Sequence, residues 1–201
     1  MLSTWHFIKQ NQVDSATKTA QSKGLSNRTK FTVEDFHNTS FQDNSFDVVW
    51  FVESFCHSDE LDKLVREVKR ILKPNGRVII ADVFLEQNKS QQTQTMLMKK
   101  WVTSWAVNEV SSRDTVTSLL NKNNFSKITP YDYTQSIRRS SLILYFYANL
   151  AITYGKLRHF LGKTYGNDIT IKNTYGAKYQ YLALRKQLWN YSIITAHNTI
   201  D

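Results

Sequence analysis

FDVVWFVESFCHSDELDKLVREVKRILKPNGRVIIADVF, residues 46–84, decides the fold class. Phe46 to Val52 is nearly continuous apolar sequence, as expected of a strand buried on both faces of a parallel sheet. Leu61, Leu64, Val65, Val68, Ile71 and Leu72 then recur at i, i+3, i+4 and form one apolar stripe of a helix. Ser58 is placed to cap that helix, with Asp59 and Glu60 in its first turn. Lys73-Pro74-Asn75-Gly76 reads as a tight turn that stops it. Arg77 to Phe84 resumes as a second buried strand. A strand, helix and strand within this span make a βαβ unit, which predicts an α/β domain.

Working outward, Asn11 to Lys23 has helical spacing, and Gly24 stands where a left-handed cap is expected. Thr29 to Val33 predicts a short strand, and Asn38 to Ser45 a polar loop. Gln87 to Thr95, QNKSQQTQT, reads as a loop dividing the chain. Beyond it the pattern predicts helices over 114–123, 140–161 (broken near Gly155) and 174–187. Strands are expected over 128–133 and 188–196. The whole of 1–201 reads as a single domain. Residues 1–86 would be a core of alternating strands and helices, 96–187 a mostly helical region with late strands, and 188–201 a closing strand and tail.

The composition excludes collagen-like, coiled-coil and fully disordered chains: 41% of residues are hydrophobic and 21% charged. No apolar run reaches the ~20 residues of a membrane span, and no signal peptide is visible. Cys56 is the single cysteine, which excludes an internal disulfide and a Cys-rich zinc site; no metal is expected. A cytoplasmic location is the expectation. The net charge of +9 favours anionic partners, but its scatter predicts a solvated surface and no specific nucleic-acid partner. Peripheral membrane contact through Ser140 to Arg158 stays open.

Ligands of open α/β sheets bind at the carboxyl ends of the strands. There the sequence places Glu34-Asp35-Phe36, Glu53 to His57, and Asp82-Val83-Phe84. Carboxylates and aromatics at one edge suit a cationic ligand with a flat ring. Taken alone, each residue has an ordinary alternative. Asp35 would cap a loop, Glu53 would be a surface residue, His57 would belong to the helix start, and Cys56 would be a small buried residue.

Asp35-Phe36 after a strand, the Phe-Asp-Val-Val strand, the Glu53 to His57 loop and Leu72-Lys73-Pro74-Asn75-Gly76 together resemble the class I S-adenosylmethionine-dependent methyltransferases. The likeness is to the sterol and tocopherol methyltransferase-like, small-molecule branch. It implies a Rossmann-like α/β fold with S-adenosyl-L-methionine as cofactor and a small methyl acceptor; the tyrosines and tryptophans after residue 96, with Arg138 and Arg139, suggest an apolar acceptor, with or without an acidic or phosphate group. It implies that Asp35 accepts from the adenine amine, with Phe36 flanking the ring. Val52 and Glu53 would border the methionine portion, and His57 would stand near the acceptor as a catalytic base. Gly24 is the only glycine before Gly76, so the family's glycine-rich turn is not found upstream of Asp35. The expectation is a fold incomplete at the N-terminus, with the first strand missing, a remnant of the next strand over Thr4 to Ile8, and impaired cofactor binding. The alternative is a catalytically inactive relative acting through protein partners.

Overall fold

The computed structural model describes residues 3–7, 10–86, 91–107 and 110–199. Strands β1 (Ser3–Phe7) and β2 (Thr29–Val33) form a parallel pair connected through helix α1 (Gln10–Ser22). Gly24, at φ +67°, closes α1 as the sequence predicts, with Gly24 N–H donating to Gln21 and Leu25 N–H to Ala20. The strand read over Thr4 to Ile8 is thus β1, with Ile8 outside the described residues.

A second sheet has the order β3-β4-β6-β5, where β3 is Phe46–Val52, β4 Leu72–Leu85, β5 Phe125–Asp132 and β6 Trp189–Asn198. Strands β3 and β4 are parallel and joined through α2 (Leu61–Ile71), which gives the expected βαβ unit. Strand β6 runs antiparallel to both β4 and β5. The closing strand therefore stands inside this sheet. Helices α3 (Gln91–Ser104), α4 (Arg113–Lys122), α5 (Thr134–Phe160) and α6 (Asp168–Arg185) complete the chain. Helices α4 and α6 begin at side-chain caps: Ser112 accepts from Thr115 N–H and Asn167 from Thr170 N–H.

Side chains alternate across the second sheet and build two cores. Val78, Ile80, Phe84 and Ile194 pack with Leu64, Val65 and Val68 of α2 and Val116 and Leu120 of α4. Trp189, with Val83 and Leu85, packs with Met98 and Trp101 of α3 and Ala183 and Leu184 of α6. The Trp101 and Trp189 rings lie 4.8 Å apart.

Five expectations are corrected. Strand β3 is not buried on both faces: among the described residues it is the edge of its sheet, and Trp50 and Val52 are exposed. The Lys73-Pro74-Asn75-Gly76 turn lies within β4, where the register moves from Phe46↔Leu72 to Val48↔Arg77 and Asn75 takes φ +61°. Helix α3 begins at Gln91, so only 87–90 of the polar stretch fall outside the described residues. Strand β5 begins at Phe125, three residues earlier than the apolar run suggests, because Asn124 turns the chain at φ +55°. Helix α5 is continuous past Gly155, whose bare Cα lets the Tyr165 ring lie against the helix.

Candidate active site at the carboxyl edge of β2, β3 and β4

Strand β2 ends in Glu34-Asp35-Phe36-His37, and the turn Asp35 to Asn38 folds back on its own first side chain. His37 N–H donates to Asp35 Oδ1 at 2.8 Å, and His37 Nδ1 lies 2.9 Å from the same oxygen. A carboxylate only accepts, so Nδ1 carries the proton in the neutral ring. His37 Nε2, 2.8 Å from Ser58 Oγ, is then the acceptor of the serine hydroxyl. The His37 backbone N–H holds the Asp35 carboxyl below its ordinary value of 3.8 despite slight desolvation, and Asp35 is ionised at neutral pH. One of its oxygens is occupied twice. The other has no partner among the described residues and is open, on a side chain that is 62% exposed.

This arrangement corrects the reading of Ser58 as a helix cap. Glu60 occupies the N-cap of α2 without a side-chain hydrogen bond, while Ser58 is buried and bound to His37. Asp35, His37 and Ser58 have the connectivity of a nucleophile relay. Ser58 is nonetheless only 6% exposed, and its nearby amides are engaged: Ser58 N–H donates to Phe55, His57 N–H to Ser54 and Cys56 N–H to Asp82. A buried Ser58 hydroxyl is out of a substrate's reach, so the chain of contacts serves to position Asp35.

Strand β3 delivers Val52 and Glu53 to the same edge. Glu53 adopts φ +50°, and its N–H donates to Ala81 of β4 at 2.9 Å. This left-handed residue turns the chain into the short helical turn Phe55–His57. Phe55 drops into the core against Phe51, and His57 is left exposed at the end of the turn. Val52 is exposed beside it.

Asp82 of β4 fixes the turn from below. It is buried, and its carboxylate accepts from Val83 N–H at 2.7 Å and Cys56 N–H at 3.0 Å. Burial raises its pKa, and these amides offset part of that effect. Burial, then the charge of Asp82, push the Cys56 thiol far up, so Cys56 is no nucleophile. A cavity of 10 Å³, room for about one water, lies among Cys56, Ser58, Asp82 and Ser111. Tyr191 of β6 reaches the edge because it pairs with Val83, and its hydroxyl faces the negative charges of Glu53 and Asp82. Burial, with the charges of Glu53 and Asp82, pushes that hydroxyl up to about 12.

The structure thus brings Asp35 and the Glu53 to His57 turn together through the His37–Ser58 bridge. Phe36 differs from expectation in its direction. Its ring packs on the main core and lies 4.5 Å from the His37 ring, leaving its backbone as the group beside Asp35. His37 and Tyr191 were not among the sequence candidates. His37 had a local signal in the Asp-x-His spacing; Tyr191 had none, since it arrives through β6 pairing.

Residues 8–80 match the methyltransferase domain family. Over this stretch the chain is similar to class I S-adenosylmethionine-dependent methyltransferases. Among curated methyltransferases, it is 37% identical over 76 residues to methyltransferase GfsG of Streptomyces halstedii, covering 38% of this chain and 27% of that protein. It is 40% identical over 65 residues to the sterol 24-C-methyltransferase erg6 of Aspergillus fumigatus, covering 32% and 17%. The matched stretch is therefore less than a third of either relative's length. The methyltransferase fold extends further than the sequence match. A phosphoethanolamine N-methyltransferase 2 from Haemonchus contortus superposes with a TM-score of 0.77 at 18% identity, over 99% of this chain and 44% of that one. This covers the helical residues beyond Phe84 as well.

Proposed function

We propose that the carboxyl edge of β2, β3 and β4 holds the adenosyl end of S-adenosyl-L-methionine for methyl transfer to a small, apolar acceptor. The observation that carries this reading is the held Asp35 carboxylate, ionised and with one oxygen open. An exocyclic amine is the donor that such an oxygen selects. The Phe36 backbone lies beside it, and Val52 offers apolar surface at the next strand end. Glu53, ion-rich with Asp82 behind it, makes an edge that favours a cation. When bound, the cofactor supplies a methyl group on a sulfonium, and the protein's part is alignment and exclusion of water. His57, exposed at the turn, is the base for an acceptor that must lose a proton. Tyr191, at the same edge through its pairing with Val83, is a further polar contact for such an acceptor. The sterol methyltransferase likeness supports an apolar acceptor. A cytoplasmic setting is part of the same reading.

The donor set fits the adenine end better than the methionine end. Gly24 is the only glycine before Gly76, and close backbone approach to a ligand is otherwise costly. Binding by this chain alone is therefore weak. The same feature favours a second reading, a catalytically inactive methyltransferase-like chain that acts through protein partners.

Backbone NMR of the chain titrated with S-adenosylhomocysteine, adenosine and inosine tests the first reading. Adenosine and the homocysteine shift the amides of Phe36, His37 and residues 53–58, inosine does not, and Asp35→Asn removes the response. Equal responses to adenosine and inosine, or none at these amides, sink the reading. Micromolar calorimetric binding of S-adenosylmethionine overturns the claim of weak affinity.

A further inference from the structure

We propose that the α5–α6 hairpin docks on an anionic lipid surface. This goes beyond methyl transfer and stands on different residues. Ile143, Tyr147, Leu150, Tyr154 and Leu157 follow each other at steps of four, three, four and three along α5. At ~100° per residue they occupy one arc of about 80°. All five are more than half exposed, and Phe160 at the end of the helix is 85% exposed. Leu161 and Ile169 continue the exposed apolar surface into the turn and the start of α6. The fold uses the other side of α5, where Ser141 and Ala148 are buried and Tyr145 rests 4.8 Å from Tyr181 of α6. Single exposed apolar residues are ordinary; a continuous stripe of this length marks a contact surface.

Charge identifies the occupant. Residues 133–187 hold nine lysines and arginines against one acid, Asp168. Eight of the chain's nine net positive charges are therefore in this hairpin. Helix α5 itself has Arg138, Arg139, Lys156 and Arg158 and no carboxylate. A second copy brought against the stripe would set like charge against like. Anionic headgroups supply the missing sign, and acyl chains cover the apolar stripe. Tyrosines, with a wet hydroxyl and an apolar ring, suit that boundary. No helix of the described residues is long and apolar enough to cross a membrane, so the hairpin would lie in the headgroup layer.

Vesicle flotation of the full chain tests the proposal. Wild type floats with phosphatidylcholine vesicles containing about one-third phosphatidylserine, floats far less with pure phosphatidylcholine, and is released by high salt. Leu150→Glu/Leu157→Glu abolishes flotation while far-UV circular dichroism is unchanged. Arg138→Gln/Arg139→Gln/Arg158→Gln lowers the partition constant by about a hundredfold, at about fivefold for each basic residue. Lys23→Gln, exposed and outside the hairpin, leaves it unchanged. No flotation with anionic vesicles overturns the proposal, as does flotation that both hairpin variants retain. Light scattering that shows a wild-type dimer split by Leu150→Glu/Leu157→Glu overturns it in favour of a second copy. None of these outcomes depends on Asp35 or on binding of an adenosyl group.

Discussion

Residues 34–86 and residues 133–187 satisfy their charges in opposite ways. In the first, Arg70 binds Glu67 and Asp43, Lys73 binds Asp47, and Arg66 binds Asp62; Asp35 is held by His37. In the second, basic residues predominate, and among the described residues none forms an ion pair with an acid. Their apolar residues differ likewise. Leu64, Val65 and Val68 of α2 are buried, whereas the α5 stripe faces outward. The first region spends its side chains on internal order, while the second keeps both its charge and its apolar surface available to something outside the chain.

That contrast makes graded predictions. Phe84→Ala, at a fully buried position between α2 and α4, lowers unfolding free energy by about 3–5 kcal/mol in denaturant titration. Glu67→Gln has the next effect. Glu67 is 6% exposed by side chain, although its desolvation is only partial, because Arg70 and Thr39 replace much of its water. Burial pushes its carboxyl up, but the hydrogen bonds from Arg70 and Thr39 outweigh this and leave it below the ordinary 4.5. A depressed acid stabilises the fold above its unfolded value and loses that contribution as pH falls through its folded value. The variant is therefore less stable by about 2 kcal/mol at neutral pH, a gap that closes in acid below pH 4.5. A gap that persists in acid would remove the charge argument.

Gly176→Ala is smaller. The new methyl would stand 2.4 Å from Trp105 Nε1, where α3 meets α6. Overpacking costs about 1–3 kcal/mol, and the better helix propensity of alanine returns about 1. A net loss of about 1 kcal/mol is expected in thermal melts. Leu150→Ser is last: on the exposed stripe it changes stability by less than about 0.5 kcal/mol. A large loss there would show that α5 has an internal partner and that the contrast between the two regions is false.

Local signals carried much of the fold. The apolar run at Phe46 to Val52, the i, i+3, i+4 stripe of α2 and the glycine after α1 yield elements whose ends agree with the structure within a residue or two. They did not carry exposure. Trp50 and Val52 look like core because burial in a sheet depends on which strands lie alongside, and β3 is an edge. Nor did they place Gly155, which reads as a helix break but admits Tyr165. At the site, Asp35 and Glu53 were legible from strand ends. The bridge from His37 to Ser58 spans 21 positions, and Tyr191 approaches Glu53 through antiparallel pairing; neither leaves a periodic trace.

The sequence by itself determined the α/β class, the βαβ unit over residues 46–84, the carboxylates at the strand ends and the basic character of residues 133–187, because these depend on neighbours within a few turns of chain. Only the tertiary structure decided that β6 enters between β4 and β5, that Asp35 has one oxygen tied and one open, and that the α5 stripe faces away from α6. Those outcomes depend on contacts between residues far apart in the chain, whose packing and hydrogen bonds override local preference.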